Sequence, residues 1–137
     1  GVEARSPREA YAGGSAIDPA DPVVLDAEAV EVIARALAHG DAALRAFAPE
    51  EEPVLWPEHF DIGISVAEVN YGVSPGDARI PEPYAYVGPW TPREGTFWNA
   101  PFGASRILSS EAPDVESLIA FFHLGAQRAA ADRPDVT

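Results

Sequence analysis

The chain has no cysteine, no methionine and no lysine, and only three histidines in 137 residues. Without cysteine, disulfides, thiol catalysis and thiolate metal sites are all excluded. Without lysine, the nine basic residues are all arginine, against 22 acidic ones, for a net charge of −13. So acidic a surface repels phosphate backbones and anionic lipid, so neither nucleic acid nor a membrane is an expected partner. No apolar run approaches the length of a membrane span, and no signal peptide is visible. A cytoplasmic location is therefore expected. The chain starts at Gly1 rather than methionine, which predicts a processed chain or a piece of a longer one. Phosphate-loop, dinucleotide-binding, serine-nucleophile and His-Glu-x-x-His signatures are missing too.

What is present reads as one domain with a modest core. Residues 1–24 are rich in Gly, Pro, Ala and Asp, including Gly13-Gly14-Ser15 and Asp18-Pro19-Ala20-Asp21-Pro22. They predict an extended lead-in, with Tyr11 and Ile17 able to pin it to a body spanning 25–133. Asp26 can cap a helix beginning at Ala27, with Val30, Ile33, Leu37, Leu44 and Phe47 on one apolar stripe and Pro49 ending it. Gly40 interrupts the helix propensity but not that stripe, and His39 is expected on the surface. A second helix is signalled by Pro113 and the cap Asp114, with Val115, Leu118, Ile119, Phe122, Ala126 and Ala129 on its stripe, widened by Phe121. His123 falls beside the stripe.

Between the helices lies the organising stretch. From Phe60 to Val66, apolar Phe60, Ile62, Ile64 and Val66 alternate with Asp61, Gly63 and Ser65, the period of a half-buried strand. The parity then switches to Val69, Tyr71 and Val73, which predicts a β-bulge or a sharp bend at Ala67-Glu68. Further on, Pro75, Pro81, Pro83, Pro89, Pro92 and Pro101 rule out long regular structure. Short strands around Tyr84–Val87, Thr96–Asn99 and Arg106–Leu108 are expected, with Ser74-Pro75-Gly76-Asp77 as a turn. The fold class is therefore α+β: a small, mainly antiparallel sheet with a bulged strand, Pro-rich aromatic loops and two amphipathic helices packed on it.

Three functional readings stand beside the plain one, in which the aromatics are core and the acids a solvated face. A ligand pocket can be built from Trp56, Tyr71, Tyr84, Tyr86, Trp90 and Trp98, whose rings pair apolar faces with polar tips. Asn70, Asp77, Glu82 and Asn99 would supply directional hydrogen bonds. Alternatively, Glu58, His59 and Asp61 can serve a metal-assisted or general-base enzyme, with His59 and Asp61 sharing a polar strand face as metal ligands or as an oriented acid–base pair. No second histidine lies at ligand spacing, and no cofactor is specified. The third reading is an interaction module, its exposed aromatics docking a missing N-terminal segment or another protein.

Four segments in order carry a resemblance: Leu55 to Asp61, Val69 to Asp77, Pro81 to Trp90, and Phe97 to Ala104 with its Phe-Trp-Asn-Ala-Pro-Phe-Gly turn. Together they resemble the C-terminal half of an uncharacterised actinobacterial protein family and, more distantly, a bacterial domain family of unknown function. The likeness spans most of residues 20–130. It implies a preceding segment in full-length members and carries no activity, cofactor or catalytic residue.

Overall fold

The computed structural model describes residues 18, 20–108 and 114–134. Tyr11, Ile17, Gly13-Gly14-Ser15 and Pro113 lie outside them. The elements run α1 (Ala27–Phe47), β1 (Val54–Trp56), β2 (Asp61–Val66), β3 (Val69–Ser74), β4 (Tyr84–Pro89), β5 (Ala104–Ile107) and α2 (Val115–Ala131). The five strands form one antiparallel sheet in the order β1-β2-β3-β4-β5, each paired with its neighbours in sequence. Both helices pack against the same side of it and against each other. The expected α+β class is what the chain adopts.

Each helix starts where its cap dictates. Asp26 Oδ1 accepts from the amides of Glu28 and Ala29 at 3.0 and 3.2 Å, and Asp114 Oδ1 accepts from Ser117 N at 2.6 Å, satisfying amides that have no partner within the helix. The buried stripe of α1 is narrower and smaller than predicted. Ala36, Gly40, Ala43 and Leu44 are buried, whereas Val30 is 48% exposed. Gly40 is a contact residue: a Cβ there would stand 2.8 Å from Val73 Cγ2. Gly125 does the same for α2, where a Cβ would lie 2.5 Å from Val87 Cγ2. The helices therefore approach the sheet closely enough to seal Phe122, Leu44, Leu118, Val73 and Val87 from solvent, each contributing about 2 kcal/mol gross. His39 is half-buried rather than superficial, and its Nδ1 is enclosed without a hydrogen-bond partner.

The bend at Ala67-Glu68 is a two-residue hairpin turn. Val66 pairs with Val69, and Ala67 and Glu68 have φ of 50° and 63°, the paired left-handed conformation whose twist matches antiparallel strands. The parity switch thus records a reversal of direction rather than an inserted residue within a strand. Three other expectations shift. Phe60 is no inward strand residue; it ends the Pro57–Phe60 turn between β1 and β2, with φ of 55° and half its surface exposed. Thr96–Asn99 forms no strand, because Trp98 turns towards α2 and donates to Asp132 Oδ2 at 3.0 Å. The tight turn expected at Ser74–Asp77 lies later, where Asp77 N donates to Ile80 O at 2.8 Å. Among the described residues, no helix is long and apolar enough to cross a membrane.

Candidate functional site

Strand register decides which side chains share the uncovered face of the sheet. Side chains alternate along a strand, and directly paired residues point the same way. Ile62, Val73 and Ala85 are in register and face the helices. Their neighbours form the opposite row: Gly63 beside Gly72, Gly72 beside Tyr86, and Tyr86 beside Ser105. Two successive glycines leave a lane across β3 and β2, and the Tyr86 ring lies in it. A Cβ on Gly72 would collide with Tyr86 Oη and Cζ and with Ile62 O, and one on Gly63 would lie 2.8 Å from Tyr86 Oη. At the end of the lane the Tyr86 hydroxyl donates to Asp61 Oδ2.

One step along the sheet a second phenol–carboxylate pair repeats the arrangement. Tyr84 sits beside Ser74 on β3 and donates to Asp77 Oδ2 at 2.7 Å. Asp77 Oδ1 accepts from the amides of Arg79 and Ile80 at 2.7 and 2.9 Å, which rigidifies the β3–β4 connection. Phe102, from the turn before β5, stacks on Tyr84 with ring centroids 6.0 Å apart and meets Tyr86 edge-on at 6.4 Å. Trp90 closes the other end. Its indole Nε1 donates to Asn70 Oδ1 at 3.1 Å, an oxygen that also accepts from Ser65 Oγ at 2.7 Å.

These groups line a groove of about 780 Å³ whose rim is completed by Glu58, His59, Gly88 and Pro89. A smaller hollow of about 320 Å³ shares Glu58, His59, Asp61, Asn70 and Tyr86 with it and reaches Trp56. Burial first, then the bond to Asp77, pushes the Tyr84 phenol up from its ordinary 10.0 to about 12. Burial, followed by the bond to Asp61, pushes Tyr86 up further. In the other direction, the Tyr84 hydroxyl and the Ile80 amide hold the Asp77 carboxyl below the usual carboxylate range. Both phenols are therefore neutral donors across the physiological range, and Asp77 is an anion.

Of the residues singled out from sequence, Glu58, His59, Asp61, Asn70, Asp77, Tyr84, Tyr86 and Trp90 meet at the groove, and Trp56 lines the adjoining hollow. His59 does so from the Pro57–Phe60 turn rather than from the strand face it was expected to share with Asp61. Four residues lie elsewhere. Tyr71 is 3% exposed beneath the helices, its ring 4.7 Å from Phe47, and burial raises its phenol pKa. Trp98 packs edge-on against Phe97 at 4.9 Å. Asn99 is occupied by Ser105, accepting from its amide at 2.8 Å and donating to its carbonyl at 3.0 Å. Glu82 is exposed and outside the groove. Sequence reading missed Ser74 and Phe102. Ser74 shares strand parity with Asn70 and Gly72, which was a usable signal; Phe102 arrives by a turn and gave none. Among the described residues, no three or more His, Asp or Glu side chains come together as a metal-binding group. Comparison with protein-family models, curated proteins and solved structures finds no match to the chain.

Proposed function

We propose that the protein binds a small organic molecule in the groove on the uncovered face of its sheet. The observation that carries this reading is the convergence of Tyr84, Tyr86, Phe102 and Trp90 around an open volume of about 780 Å³ with carboxylates at its edge. Pockets for small ligands occupy roughly 300–1,000 Å³ and combine apolar walls with a few placed polar groups. Their orientation is prepared before any ligand arrives. Tyr84 and Tyr86 are tied to Asp77 and Asp61, and Trp90 to Asn70, so little side-chain freedom is lost on binding. A ligand-detected NMR screen of metabolite-sized compounds tests the reading, run on the parent and on Phe102→Ala. Compounds that contact the groove should weaken about tenfold in the variant, the loss of one aromatic wall. A screen whose binders are indifferent to Phe102, or that yields none, sinks it.

A catalytic reading has one observation in its favour: Glu58, His59 and Asp61 lie on the rim shared by the groove and the adjoining hollow. There the imidazole would act as general base on a bound molecule, with the carboxylates beside it. His59→Ala separates the two ideas, because it should abolish turnover while leaving ligand affinity within a few fold.

A further inference from the structure

We infer that the groove selects a small organic cation, an ammonium or amidinium group carried on an apolar frame. The inference rests on the groove being a binding site and adds the charge of what it binds. Its basis is an inventory of what the lining can still offer. Tyr84 and Tyr86 spend their hydroxyl protons on Asp77 and Asp61, and Trp90 spends its indole proton on Asn70. Three strong donors that an anionic or carbonyl ligand would use are thus committed within the wall. Acceptors remain open. Among the described residues Asp61 Oδ1 takes no hydrogen bond, and the only ion pairs are Arg35–Glu31 and Arg45–Asp41, far along α1. None of Asp61, Asp77 and Glu58 therefore forms an ion pair; Asp77 alone feels a nearby arginine, Arg79, and no arginine lines the groove. Alongside these carboxylates the groove is lined by Phe102, Tyr84 and Trp90, aromatic rings whose negative quadrupoles attract a cation within about 6 Å. A cation would thus meet carboxylate and ring together, and an anion would meet three like charges.

The test uses three probes of one shape: benzylammonium, benzyl alcohol and benzoate, titrated by calorimetry and by chemical shifts of Tyr86 and Trp90. Benzylammonium should bind at least about tenfold more tightly than benzyl alcohol, and benzoate should not bind measurably. Asp61→Asn and Asp77→Asn should shrink that preference. In the parent protein, which needs no variant to fold, added salt should weaken benzylammonium and leave benzyl alcohol unchanged. Equal binding of ammonium and alcohol at the groove overturns the charge selectivity and leaves the binding site standing. Failure of all three probes to shift Tyr86 or Trp90 overturns both.

Discussion

Gly72 and the Tyr86 ring compete for one volume on the uncovered face, and the glycine's missing side chain settles the competition. Gly72→Ala should therefore cost about 2 kcal/mol or more in urea unfolding, as overpacking does. In a Tyr86→Ala background the same substitution should cost well under half of that, apart from the contact with Ile62 O. A double-mutant cycle reads the coupling directly, and additive costs would show that the ring does not lie in the lane. The phenols also make a pH prediction. A folded pKa raised above the unfolded one gives stability that is intact below the unfolded value and lost as pH rises through the folded one. For Tyr84 and Tyr86 that window opens near the ordinary 10.0 and runs to about 12 and beyond. Phenolate absorbance of these two side chains should accordingly rise only together with unfolding. Asp77, whose pKa is lowered, works in the opposite sense: its contribution is present above the ordinary 3.8 and fades as acid carries pH through the folded value. Asp77→Asn should flatten that acid limb in a series of denaturation curves. Being exposed, Asp77 moves it only slightly.

The β2–β3 hairpin turns on Ala67 and Glu68, both at positive φ, where neither residue is comfortable. Replacing the pair with Asn-Gly, which adopts this turn readily, should stabilise the protein by about 1 kcal/mol. A higher denaturant midpoint at unchanged slope would confirm it. Elements whose signals are local were legible in the sequence: both helix caps, the end of α1, the alternation of β2 and the tyrosine strand β4. What packs against what was not. The contact stripe of α1 runs through Ala36, Gly40 and Ala43, and no hydropathy pattern gives weight to residues so small. Trp98 has the apolar face and polar tip of a pocket residue, but the partner that holds its indole, Asp132, is 34 positions away. Tyr71 was legible in principle, since it shares parity with the apolar pair Val69 and Val73. The groove itself was half visible. Asp61, Tyr84 and Tyr86 lie on predicted strands, but that two glycines open a path between them follows only from register.

Across the molecule, 22 acidic residues face nine arginines, and only two ion pairs form among the described residues. Self-repulsion of this kind weakens the compact state and is relieved when salt screens it. The thermal midpoint should therefore rise by a few degrees from low to moderate sodium chloride, and a midpoint that falls would contradict the picture. Strand order that copies chain order has a kinetic meaning as well. Each hairpin can zip from its own turn without searching for a distant partner, and such local assembly is fast. The one costly encounter is α1 meeting α2, which closes a loop containing every strand. Refolding should thus show an early nucleus at the Ala67-Glu68 turn, with φ-values near one there and near zero at Gly40 and Gly125. The helices would then arrive last, as a clasp shutting over a finished ribbon.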